Sequence, residues 1–158
     1  MGRSRGGFGT KLHIVSDADG RALSVTVTAG QAPDLANAPN VLAAVRVPGR
    51  RGPPRQKPRV AVVADKGYTF APMRAWARAR RVRAYLPRRK DQRPRGRPPT
   101  FDRAAYRRRP AIERLIGRLK EWRAVATRFE KLAVNYLATV HLALLHDFLR
   151  LLDSSDRA

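Results

Sequence analysis

A chain of 158 residues suffices for one compact domain with a single core and is short for two that each bury a good fraction of their surface. Lys and Arg number 34 against 12 Asp and Glu, and a formal charge of +22 repels itself unless a polyanion or counterions neutralise it, so nucleic acid is the expected partner. There is no cysteine, which excludes disulfides and thiolate metal sites, and the three His are too scattered for an imidazole cluster, so any metal has to be held by carboxylates. A membrane partner would call for a basic amphipathic helix or an acyl signal, and neither stands out. No apolar stretch follows the charged start, so a secretory signal is not expected and the expected compartment is the cytoplasm.

Lys11 to Ser16 and Leu23 to Ala29 are strand-length runs rich in Val, Ile and Leu, separated by the turn-forming Asp17, Ala18, Asp19 and Gly20, and they predict a hairpin. Beyond Gly30, the recurrence of Leu35, Ala38, Val41, Leu42 and Val45 predicts a helix over 34–46 with Asp34 as its cap. Residues 47–58 are Pro, Gly and Arg with almost nothing to bury and read as a basic loop. The continuous apolar run from Val60 to Ala64 predicts a strand covered on both faces and lying beside the hairpin or its neighbour in one sheet, with Asp65 at its carboxyl end. A helix over 71–80 and a short strand over 82–86 complete a strand, helix, strand unit.

A second basic loop is expected at about 88–105, within a stretch from Arg88 to Arg109 in which ten side chains are basic and two, Asp91 and Asp102, are acidic. Ile112, Leu115, Ile116 and Leu119 then give the stripe of an amphipathic helix with Pro110 as its first residue. Leu132 to Leu152 is the most apolar stretch, but Asn135, His141, His146, Asp147 and Arg150 interrupt it, so it reads as a buried helix and not as a bilayer span. Residues 153–158 read as a disordered tail.

Two carboxylates stand out. Asp65, at the end of a buried strand, either caps a turn or faces a cleft where a cation can sit. Glu113, early in an amphipathic helix, either complements the helix dipole or serves chemistry. Arg95, Gly96, Arg97 and Pro98 resemble the minor-groove core of an AT-hook, against the simpler reading of a linker that touches phosphates alone. His141 and His146 are five apart and share no helix face well, which favours packing over metal binding. Trp122 favours packing over base stacking.

Read together, Tyr106, Arg109, Glu113 and Lys120 have the spacing of a signature, and they resemble the YREK motif of DDE transposases encoded by bacterial insertion sequences. Asp65, Lys66, Gly67 and Tyr68 resemble the second-aspartate motif of the same family. Gly6 to His13, Thr28 to Gln31 with Asp34, and Arg123 to Asn135 are further matches in the family's order.

The resemblance covers nearly the whole chain. It implies an α/β, RNase H-like mixed sheet flanked by helices, spanning residues 1–152, in which two aspartates and one glutamate hold two divalent ions, Mg²⁺ or Mn²⁺. It further implies that Asp65 is the second aspartate and Glu113 the catalytic glutamate, both metal ligands. Tyr106, Arg109 and Lys120 would contact phosphates or position the DNA end; Lys66, and Arg95 and Arg97 of the basic loop, are further expected DNA contacts, with insertion-sequence ends and target as the DNA partner.

Two departures bear on activity. Family members carry the first aspartate on a strand upstream of the Gly6 and Gly7 segment, so that strand and its carboxylate are expected to be missing here. Asp17 and Asp19, at a hairpin tip, are not expected to replace it. Cleavage by this chain alone is therefore not expected, and an upstream-frame polypeptide is a candidate partner. Pro110 lies inside the motif and biases Arg109 toward extended backbone, so Tyr106 and Arg109 should precede the helix that carries Glu113. The rival readings are a non-catalytic DNA-binding remnant or regulator of transposition, and an RNA-binding or ribosomal protein suggested by charge and size alone.

Overall fold

The computed structural model describes residues 2–4, 7–47, 61–68, 70–87, 101–107 and 109–155. In chain order they form β1 (Gly2–Ser4), β2 (Gly7–Ser16), β3 (Ala22–Ala29), α1 (Asp34–Ala43), β4 (Ala61–Val63), a 3-10 turn (Lys66–Tyr68), α2 (Ala71–Ala79), β5 (Arg83–Tyr85), α3 (Arg103–Tyr106), α4 (Pro110–Glu121), α5 (Arg123–Thr127) and α6 (Ala133–Ser155). They fall into two compact units, Met1–Gln31 with Ala111–Ala158, and Ala32–Pro110. The architecture is mixed α/β.

The first unit is built on an antiparallel meander in the order β1, β2, β3. Leu12 pairs with Val27 and Ile14 with Val25, so the alternation of the hairpin puts four aliphatic side chains on one face. That face packs on Leu115, Leu119, Val125, Tyr136, Val140 and Ala143 from the helices. The hairpin closes as its turn chemistry requires. One carboxylate oxygen of Asp17 accepts the backbone N–H of Asp19 at 3.0 Å and of Arg21 at 2.8 Å, and Gly20 takes φ +84°. Gly20 also lies against the first turn of α4, where a Cβ would come 3.0 Å from the Ala111 carbonyl oxygen.

The helix stripe expected from Ile112 to Leu119 is rotated slightly. Ala111, Leu115 and Leu119 are buried and Ile116 is 36% exposed, because an i, i+4, i+8 row packs against the sheet. Helix α6 departs further from expectation. It buries Tyr136, Val140, Ala143 and Asp147 but exposes Leu142, Leu145, Leu149 and Leu152, so it is two-faced and not a buried helix. It continues to Ser155, beyond the expected start of a tail at 153. Among the described residues no helix is long and apolar enough to cross a membrane.

Asp147 is buried because Arg118 meets it. The guanidinium of Arg118 grips both carboxylate oxygens, Nη2 to Oδ2 at 3.0 Å, and donates again to the carbonyl oxygen of Gly20 at 3.1 Å. The bond to Asp147 raises the Arg118 pKa above its ordinary value. Tyr136 donates its hydroxyl to the Val125 carbonyl at 3.0 Å, tying α5 to α6, and burial raises its pKa.

In the second unit β4 and β5 run parallel, with Val62 opposite Ala84, and α2 joins them. The strand, helix, strand expectation is met. Helix α2 buries Met73, Trp76 and Ala77, and Ala38, Val41, Leu42 and Val45 are buried in and after α1. The strand expected over 60–64 is described over 61–63, with Val60 outside the described residues, and its partner is β5 in a sheet separate from the hairpin's. Helix α1 ends at Ala43, three residues early, where Arg46 donates to the Ala43 carbonyl at 2.7 Å. Its N-cap is Pro33, and Asp34 is the first helical residue instead of the expected cap. Of the two expected basic loops, 48–58 and 88–100 lie outside the described residues. Residues 103–106 of the second are helical, because the carboxylate of Asp102 caps α3 by accepting the Ala105 N–H at 2.9 Å.

Two outcomes follow from the Arg118 and Tyr136 contacts. Asp147→Ala should cost on the order of 3 kcal/mol by leaving a partly buried guanidinium unpaired, whereas Arg118→Met with Asp147→Leu should cost clearly less than the two single changes added together. Urea unfolding of the parent, Asp147→Ala, Arg118→Met, Asp147→Leu and the double variant measures this. A phenol whose folded pKa is raised contributes stability that is complete below its unfolded pKa, about 10, and lost as pH rises through the folded value. Thermal melts from pH 9 to about 11.5 should therefore fall more gently in Tyr136→Phe than in the parent.

Candidate functional site

Asp65 follows β4 by one residue and is exposed. One of its oxygens accepts the Gly67 N–H at 2.8 Å, and its carbonyl accepts the Tyr68 N–H at 3.2 Å, which folds the chain sharply into the 3-10 turn. A Cβ on Gly67 would sit 3.0 Å from the carboxylate oxygen, so glycine fits the position. The turn-capping role is thus realised. It leaves chemistry open, because an ionised carboxylate accepts at about four lone-pair positions and one N–H bond orients it for a cation.

Glu113 stands in the first turn of α4, exposed, where the helix dipole favours an anion. Lys120 is seven residues on, two helical turns, and so projects from the same side. Between them Gly117 has nothing within 4 Å of a built Cβ, which leaves the face from Glu113 to Lys120 open. This face points outward because Ala111, Leu115 and Leu119 hold the other side in the core.

Tyr106 and Arg109 lie ahead of α4, as Pro110 requires. Tyr106 ends α3, its ring 5.2 Å from that of Phe101, and the Arg109 guanidinium lies 5.9 Å from the Tyr106 ring. The Arg109 N–H bonds the Tyr106 carbonyl at 3.0 Å. These contacts bring Tyr106 and Arg109 together in one unit, while Glu113 and Lys120 share a helix in the other; Asp65 belongs with the former. Arg95 and Arg97 lie outside the described residues, as does the side chain of Lys66. Among the described residues no three His, Asp or Glu side chains gather as a metal site.

Asp17 and Asp19 are occupied in the hairpin turn, with carboxylates 4.0 Å and 3.6 Å from the Arg21 guanidinium. Trp122 packs edge-on against His146 with ring centres 5.2 Å apart, and His141 is exposed on α6. Sequence reasoning missed the Arg118 and Asp147 pair. Its signal was present: Asp147 lies four residues after Ala143 on the buried side of an apolar helix, where an acid needs a partner, and Arg118 lies three after Leu115. Thr139 bonding Glu130 at 2.9 Å, within the α5 to α6 connection and the start of α6, was likewise not foreseen.

The family described as transposase DDE domain matches residues 2–148. A Brucella ovis protein named as a transposase for insertion sequence element IS6501 is 32% identical over 135 residues, which cover 85% of this chain and 93% of that protein. A Burkholderia cepacia protein named as a transposase for insertion sequence element IS402 is 32% identical over 126 residues, covering 79% of this chain. The chain spans 56% of that second relative's length. No solved structure matches. With the family's match running from β1 into α6 and taking in Asp65, Tyr106, Arg109, Glu113 and Lys120, the chain belongs to the transposase DDE domain family.

Proposed function

We propose that the chain cuts and joins DNA at insertion-sequence ends in a metal-dependent phosphoryl transfer, with Asp65 and Glu113 as two of its carboxylate ligands. The observation that carries this reading is the order of the motifs, Asp65 to Tyr68 and then Tyr106 to Lys120, inside one continuous family match. An RNase H-like sheet is the fold proposed with it, supported by antiparallel strands followed by a parallel strand, helix, strand unit.

The residues present fit a divalent cation. Asp65 and Glu113 are exposed oxygen donors, the type hard cations prefer, and the Gly67 N–H fixes one oxygen of Asp65. A two-metal site of this kind stabilises the attacking and leaving oxygens of an in-line displacement. In the family's arrangement a further aspartate on a strand ahead of Gly6 completes it. The chain's own residues do the rest. Lys120, on the open face with Glu113, places a positive charge beside a DNA phosphate. Arg109, held against Tyr106, offers a forked donor to a second phosphate, and Lys66 follows Asp65 directly.

Nicking of a labelled insertion-sequence end in Mn²⁺ tests the reading, with the 158-residue chain and a version extended by a strand carrying the upstream aspartate. The extended version should nick, and Asp65→Asn or Glu113→Gln should slow it by about 10²-fold or more while leaving DNA affinity within a few-fold. The chain alone should bind the same DNA. Nicking unaffected by both substitutions would remove them from the site, and binding without nicking by either version would favour a non-catalytic DNA-binding role. Affinity for duplex DNA should also fall steeply with salt, with a log-log slope of about −0.9 for each phosphate neutralised; a flat titration would contradict phosphate-led binding.

A further inference from the structure

Gly117 sits where the packing of its own unit gives no reason for a glycine. It lies inside α4, a full turn or more from either end, and among the described residues the glycine with positive φ is Gly20. Gly20, Gly30 and Gly67 each answer a close neighbour, since a built Cβ would come within 3.0 Å of another residue's atom. A Cβ on Gly117 meets nothing within 4 Å among the described residues. Glycine is the poorest residue after proline for a helix interior, because it gives up the most backbone freedom on ordering. Alanine would suit α4 better, so the missing side chain needs a cause beyond this packing.

The surroundings of Gly117 identify what approaches. On a helix the neighbours of position 117 are three and four residues away, here Glu113, Arg114, Lys120 and Glu121, and all four are exposed, as Gly117 is. The two cations are the nearer pair along the axis, about 4.5 Å on either side of the glycine. Glu121 interacts electrostatically with Arg118, and Glu113 holds a cation in the function proposed above, so each acid is offset. The charge that remains around the gap is that of Arg114 and Lys120, which selects an anion.

We propose that Gly117 is a clearance position for DNA: the sugar-phosphate backbone rests on the bare Cα, and Arg114 and Lys120 flank its phosphates on either side. A side chain at 117 would hold the strand off the helix and lengthen both contacts, which weakens each attraction. Gly117 and Arg114 thus add two contacts to the DNA-cutting reading, on which they rest, beyond those of Tyr106, Arg109 and Lys120.

Melting and DNA binding of the full chain, measured side by side, separate this role from one in folding. Gly117→Ala should raise the melting temperature by about 3 °C, as loss of a helix-interior glycine does, and yet weaken duplex binding about threefold. Gly117→Leu, which also introduces a good helix former, should melt no lower than the parent and weaken binding at least about tenfold. Its log-log salt slope should be shallower by about 0.9 for each phosphate lifted away. Arg114→Gln should take about 0.9 from the slope of the parent and clearly less from that of Gly117→Leu, where the contact is already lost. A lower melting temperature in Gly117→Ala would mean that the glycine serves the chain's own packing, and undiminished binding by Gly117→Leu would mean that no strand lies there. Either result overturns the proposal and leaves the DNA-cutting reading in place, whereas a parent chain that binds no duplex DNA would remove both.

Discussion

The guanidinium of Arg118, drawn inward to Asp147 and the Gly20 carbonyl, is the contact on which the first unit depends. Apolar packing alone fixes helices loosely, since one leucine replaces another with little loss as a helix slides or turns. A partly buried ion pair does not permit this, because each charge loses water and recovers it only in one geometry. Here the pair joins α4 to α6, and the third bond holds the tip of the hairpin against both. The hairpin then lies with Gly20 against Ala111. With Ala111, Leu115, Arg118 and Leu119 committed to the interior, Glu113, Gly117 and Lys120 have one direction left, outward, and the chemistry assigned to this helix follows from that commitment.

The same logic divides the surface of α6. Its inner side is occupied by Tyr136, Val140, Ala143 and Asp147, and its outer leucines Leu142, Leu145, Leu149 and Leu152 are exposed. In a chain with 34 Lys and Arg against 12 acids, this strip carries no cation.

Much of this was legible in sequence because its causes are local. The hairpin rests on alternating aliphatics around Asp17 to Gly20, the parallel unit on the Val60 to Ala64 run and the following helix period, and the break between Arg109 and α4 on Pro110. Most of what was not legible depended on partners distant in sequence. The partner of β4 is β5 and not the hairpin; one miss was local, the Asp102 cap on Ala105 that made expected loop residues into α3. Asp147 appeared as an interruption in an apolar stretch until Arg118, 29 residues away, explained it. At the site, Asp65, Lys66 and Gly67 were found by motif, and the bond from Gly67 to Asp65 shows why glycine suits that place. Composition alone left the rival of an RNA-binding protein standing; the family match removes its basis.

The central claim is the proposal that Asp65 and Glu113 both act as metal ligands, which rests on the order of the motifs inside the family match. Iron supplied as Fe²⁺ in place of Mg²⁺, with ascorbate and peroxide, makes hydroxyl radicals that cut the backbone beside the residues holding the ion. Mapping the fragments of the DNA-bound chain therefore tests the claim directly. Cuts close to both Asp65 and Glu113, suppressed together by excess Mg²⁺ and lost together in Asp65→Asn, are the expected result. Cuts at one residue that persist when the other is replaced, or cuts near neither, would contradict it.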